Sequence, residues 1–134
     1  MSDEPKKDNE KFNWVTERSA CSLPKVFNTL RSQVEEDVKT RNAQRPKNSP
    51  YEFSVVETGV DFAVFFRAKG VDRSVKFSLA EHGILVFDDK DRQMFEVTLT
   101  FTDDGKCRLN VNEEPRHSWQ VRRMALEELL FQRQ

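Results

Sequence analysis

Tyr51-Glu52-Phe53-Ser54-Val55, the turn Glu57-Thr58-Gly59 and the return Val60-Asp61-Phe62-Ala63-Val64-Phe65-Phe66 decide the fold. Apolar and polar residues alternate with a period of two before the turn, and every second residue is large and apolar after it. That period places Tyr51, Phe53 and Val55 on one face of a strand and Val60, Phe62, Val64 and Phe66 on one face of its partner. Two such runs joined by a short Gly-containing turn are a β-hairpin.

Working towards the C-terminus, the rhythm repeats. Ala68 to Asp72 links to Val75, Phe77 and Leu79, and a turn at Glu81-His82-Gly83 follows. Ile84 to Phe87 is a short continuous apolar run, suited to a well-buried strand. After Asp88 to Asp91, the residues Phe95, Val97, Leu99 and Phe101 alternate with Glu96, Thr98 and Thr100. Thr102-Asp103-Asp104-Gly105 turns the chain once more into Cys107, Leu109 and Val111. Strands joined by short turns with no helical crossover make an antiparallel meander.

Helices are expected on both sides of this run. Upstream, Pro46 to Pro50 marks a break, preceded by Val26, Phe27, Leu30, Val34 and Val38 at helical spacing. This predicts a helix over about 23–42, capped by Ser22, with Pro24 in its first turn. Downstream, Val121, Met124, Ala125, Leu126, Leu129 and Leu130 predict a closing helix from Ser118. Phe12 and Trp14 share one side of a short first strand over Phe12 to Thr16. The expected fold is α+β: an antiparallel sheet of about six strands plus that first strand, packed by an N-terminal and a C-terminal helix. Residues 1–11 read as a flexible tail and 12–134 as a single α+β domain.

Composition narrows the function classes. The 22 basic and 23 acidic residues leave a net charge of −1, which gives no basic excess for nucleic-acid binding. Eleven Phe against one Tyr and two Trp are core material rather than polar recognition chemistry. No apolar stretch approaches the ~20 residues that span a bilayer. Met1 to Lys11 lacks the apolar core of a signal peptide, so the expected setting is cytoplasmic.

Candidate chemistry is sparse. His82 falls in a turn and His117 before the last helix, without the close ligand spacing of a zinc site. Cys107 sits on the apolar face of a strand and reads as inert core, while Cys21 precedes a helix N-terminus that could activate it. A disulfide between the two stays open. Glu35-Glu36-Asp37, Asp88-Asp89, Asp103-Asp104 and Glu113-Glu114 are neighbouring carboxylates suited to turns and helix surfaces, not pairs facing each other across a cleft. Basic residues gather at Lys39, Arg41, Arg45 and Lys47 and again at Arg116, Arg122, Arg123 and Arg133. Trp119 beside Arg122 and Arg123 has the chemistry of an interaction surface, but a core tryptophan of the closing helix is the preferred reading. No metal or cofactor is expected.

The segment Glu17-Arg18-Ser19-Ala20-Cys21-Ser22-Leu23-Pro24-Lys25-Val26-Phe27 resembles the strand-to-helix junction of START-type helix-grip proteins, the lipid-transfer and polyketide-cyclase relatives, and the element order is similar to theirs. That resemblance implies an apolar pocket between sheet and C-terminal helix. A weaker one, around Ser118-Trp119-Gln120, is similar to the kinase-associated C-terminal domains that bind anionic membranes. The expected function is non-catalytic binding, of a hydrophobic small molecule in such a pocket or of a protein partner, with a homodimer left open. The alternatives are a small enzyme of helix-grip type, with groups such as His117 or Tyr51 lining the pocket, and an anionic-membrane-binding domain similar to the kinase-associated ones.

Overall fold

A computed structural model describes residues 11–131; the tail expected over residues 1–11 lies outside these apart from Lys11. The chain runs α1 (Trp14–Ala20), α2 (Leu23–Ala43), β1 (Tyr51–Thr58), β2 (Asp61–Ala68), β3 (Val71–Leu79), β4 (Ile84–Phe87), β5 (Gln93–Phe101), β6 (Cys107–Val111), β7 (Glu114–Arg116) and α3 (Ser118–Phe131). The seven strands form one antiparallel sheet in chain order. The fold is α+β, as the alternation predicts.

Register puts the aromatic residues of neighbouring strands side by side. Phe53 pairs with Phe66, and Phe62 with Phe77, which faces Val86 on the next strand. The Phe62 and Phe77 rings stack at 4.6 Å, and Phe27 of α2 closes on Phe62 at 5.1 Å. Phe27, Leu30, Val34 and Val38 of α2, and Val121, Ala125, Leu126, Leu129 and Leu130 of α3, are buried with the sheet residues in one cluster. On the opposite face, Lys76 lies over Phe87 and Arg67 over Phe65, so long cationic side chains shade the apolar rings there.

α2 begins where Ser22 accepts a hydrogen bond from the Lys25 N–H at 3.4 Å, and Pro24 follows in the first turn. At its other end Asn42 meets β1 in both directions. Its amide donates to the Phe53 carbonyl at 2.8 Å, and its side-chain oxygen accepts from the Phe53 N–H at 3.0 Å. This exchange satisfies backbone groups on a strand that is an edge of the sheet among the described residues.

Two expectations are corrected. The strand over Phe12 to Thr16 does not form. Asn13 instead caps α1, accepting from the Thr16 N–H at 3.0 Å, and Glu17 suits the helix dipole in its first turn. Phe12, Trp14 and Val15 are all exposed, so no burial imposes a two-residue period there. The extra strand lies at the other end. Asn112 and Glu113 both take left-handed φ values, 54° and 68°, and turn the chain into β7. Pro115 is tolerated there because β7 is an edge strand.

Candidate functional site

α3 packs against α2 and β3, and its start is built from its neighbours. The His117 N–H donates to Gln120 Oε1 at 2.7 Å, while the His117 carbonyl accepts from Gln120 and Val121. His117 thus takes the capping position, and Ser118 is the first helical residue. The Ser118 hydroxyl lies instead between Gln33 of α2 and Arg122.

Arg122 and Arg123 part company at this point. Arg122 donates from Nε to Asp37 at 2.6 Å, and from its terminal nitrogen to Ser118 at 2.7 Å and Gln33 at 3.1 Å. With its side chain only 17% exposed, it ties α3 to α2 and has little left to offer a partner. Arg123, one residue on, points outward and pairs with Glu127. The hydrogen bond to the Glu127 carboxylate holds its guanidinium above the ordinary arginine pKa.

Trp119 is 54% exposed, so it is not the core tryptophan that its helix also suited. The buried stripe of α3 runs through Val121, Ala125, Leu126, Leu129 and Leu130, and Trp119 lies off it. It stands instead at the head of a line with Arg123, Glu127 and Phe131, each four residues apart and therefore successive along one helix face. Phe131 is 61% exposed but held in place. The Arg41 guanidinium lies 4.6 Å from the centre of its ring while donating at 2.8 Å to the Leu130 carbonyl.

Two solvent-open grooves flank this line, and Trp119, Arg123 and Glu127 contribute to both. The larger, about 1110 Å³, runs between α3 and the β3–β5 corner and is lined by Arg73, Arg92, Met94, Arg116 and Met124. The smaller, about 470 Å³, runs between α2 and α3 past Asp37, Arg41 and Leu130. Met94 and Met124 are 41% and 40% exposed. Aromatic, methionine and arginine side chains are the types enriched where proteins meet.

The other candidates are dispersed. His82 is a solvent-exposed loop residue beside Glu81, and His117 is exposed before α3. Among the described residues no group of three His, Cys, Asp or Glu side chains could hold a metal ion. Cys107 is neither inert core nor free: it is exposed and forms a disulfide with Cys21. Tyr51 packs between Phe53 and Phe66. Asp88 serves its own turn, and the Arg92 N–H foremost holds its carboxyl below the usual aspartate value. Asp104 is lowered likewise, chiefly by the Thr102 hydroxyl. Of the basic cluster at the end of α2, Arg41 and Arg45 are spent on the Leu130 and Tyr51 carbonyls, and Lys39 and Lys47 are exposed. Arg133 lies outside the described residues. Among those described, no helix is long and apolar enough to cross a membrane.

The line through Trp119, Arg123, Glu127 and Phe131 is the feature that sequence reading missed, although its four-residue spacing was there to see. No protein-family model matches this chain, no curated protein matches it in sequence, and no solved structure matches its fold.

Proposed function

We propose that this chain is a non-catalytic interaction domain whose binding surface is the solvent side of α3. The observation that carries this reading is Trp119, more than half exposed, on a ridge with grooves along both its sides. Exposing a large aromatic forfeits the ~1.5–3 kcal/mol that burying a large apolar side chain contributes, and a partner that covers it recovers that. Trp and Arg are the side chains that most often dominate binding energy where interfaces have been dissected.

Phe27, Phe62 and Phe77 share one buried cluster with the inward residues of α3, which supports a surface rather than an interior ligand pocket as the binding site. A near-balanced charge favours a protein partner over nucleic acid. The disulfide is in tension with a cytoplasmic setting, since such bonds persist mainly in oxidising compartments.

The test is site-specific photo-crosslinking in the native host. A photoreactive residue replaces Trp119 in one variant and Val60, an equally exposed turn residue, in a control. A discrete protein adduct at position 119 and none at 60 is expected. Absence of an adduct at 119 above the control would overturn the reading.

A further inference from the structure

We infer that the partner covering α3 is a second copy of this chain, docked in antiparallel fashion about a two-fold axis. The inference rests on the reading of α3 as an interaction surface and names its occupant. Its basis is the order of side chains along the exposed ridge: Trp119, Arg123, Glu127, Phe131.

A two-fold axis midway between Arg123 and Glu127 exchanges the two halves of this ridge. It places Arg123 opposite Glu127 of the second copy and Glu127 opposite that copy's Arg123. The same operation sets Trp119 against Phe131 of the second copy, and Phe131 against its Trp119. Every side chain of the ridge therefore meets a complementary one: opposite charges at the centre, aromatic rings at both ends. Self-complementarity of this kind is what a two-fold homodimer requires, because the same patch must serve as both sides of the contact.

Shape agrees with charge. The ridge runs about 18 Å along the helix at 1.5 Å per residue. Residues four apart form the natural ridges of a helix, and two such ridges interlock at a crossing angle of about −50°. Next to it runs a second row, Gln120, Met124 and Glu128, all of which line the larger groove. The ridge of the second copy seats between these two rows, with the groove of about 1110 Å³ receiving its side chains. Met94 and Met124 supply adaptable apolar contact on that side. In the single chain Arg123 and Glu127 pair with each other. In the dimer each exchanges that neighbour for its counterpart, so neither Arg123 nor Glu127 loses an opposite charge.

Charge reversal tests this directly, with native mass spectrometry and sedimentation of the full chain as readouts. Wild type is expected as a dimer. Arg123→Glu and Glu127→Arg each place like charges at the centre and should weaken self-association by about tenfold or more. An equimolar mixture of the two variants restores both opposite-charge pairs and should form a heterodimer, which also shows that neither variant is misfolded. Wild type that stays monomeric at its highest soluble concentration overturns the inference. So does a dimer indifferent to both reversals, or a mixture that fails to associate. If wild type is monomeric while position 119 crosslinks to a different polypeptide, the second copy is excluded and the interaction domain stands. No adduct at all removes both.

Discussion

α1 and α2 meet at Cys21, and they are held to the rest of the molecule by different means. α2 buries Phe27, Leu30, Val34 and Val38 against the sheet and is bolted to β1 by Asn42 and to α3 through Asp37. α1 buries no residue. It is attached where it ends, by the disulfide from Cys21 to Cys107 on β6, and just before it starts, where the Phe12 ring lies over Gly105 in the β5–β6 turn. Gly105 has a φ of +83°, and any Cβ at that position would run into the ring. One helix is thus part of the cooperative core, and the other is a strap secured covalently. Burial couples an element to global unfolding, whereas a crosslink chiefly restricts the unfolded chain.

The largest expected effect comes from breaking the packed side. Phe62 is fully buried, stacked on Phe77 and touched by Phe27. Phe62→Ala should cost about 3–5 kcal/mol, because the sheet cannot close over the void. Urea unfolding monitored by tryptophan fluorescence and by circular dichroism should shift together. A loss below about 1 kcal/mol would mean that α2 and the sheet are not one packed unit.

Breaking the covalent side should look different. The disulfide joins residues 86 apart in sequence, and its removal by a dithiol reductant or by Cys21→Ser is expected to cost about 2–4 kcal/mol globally. Its local signature is the sharper one. Amide exchange over Trp14 to Ala20 should rise to the rate of free peptide, while Leu30 to Val38 stay protected. Equal loss of protection in both helices would show that α1 is coupled to the core after all.

The same contrast explains what could be read in advance. Phe53, Phe62, Phe66 and Phe77 declare the sheet because each is buried on one face and burial enforces a period of two. Phe12 and Trp14 mimic that period without burial behind it, so capping by Asn13 decides the local structure instead. β7 eluded prediction because its turn is Asn112-Glu113 rather than a glycine turn, and its three residues include Pro115. Arg122 and Arg123 are neighbours in sequence with opposite fates. Only the rotation of α3 against α2 sends one to Asp37 and the other to solvent. The disulfide was one open option among several, since nothing local brings together cysteines this far apart.

Helix caps give the finest test of the comparison, because one chemical contact occurs in both settings. Asn13 accepts from the Thr16 N–H in α1, and Ser22 accepts from the Lys25 N–H in α2. Each satisfies one backbone donor, and replacing such a cap by alanine typically costs its helix about 1 kcal/mol. In α2 that cost falls on the whole fold, because α2 cannot fray without uncovering Phe27 and Leu30. Ser22→Ala should therefore lower global stability by about 1 kcal/mol. In α1 fraying uncovers nothing, so Asn13→Ala should leave the unfolding midpoint unchanged and raise exchange only over Trp14 to Ala20. Measuring both variants with the disulfide intact isolates the effect of burial from that of the crosslink. If Asn13→Ala lowers the midpoint as much as Ser22→Ala, α1 belongs to the cooperative unit and the division between strap and core is wrong.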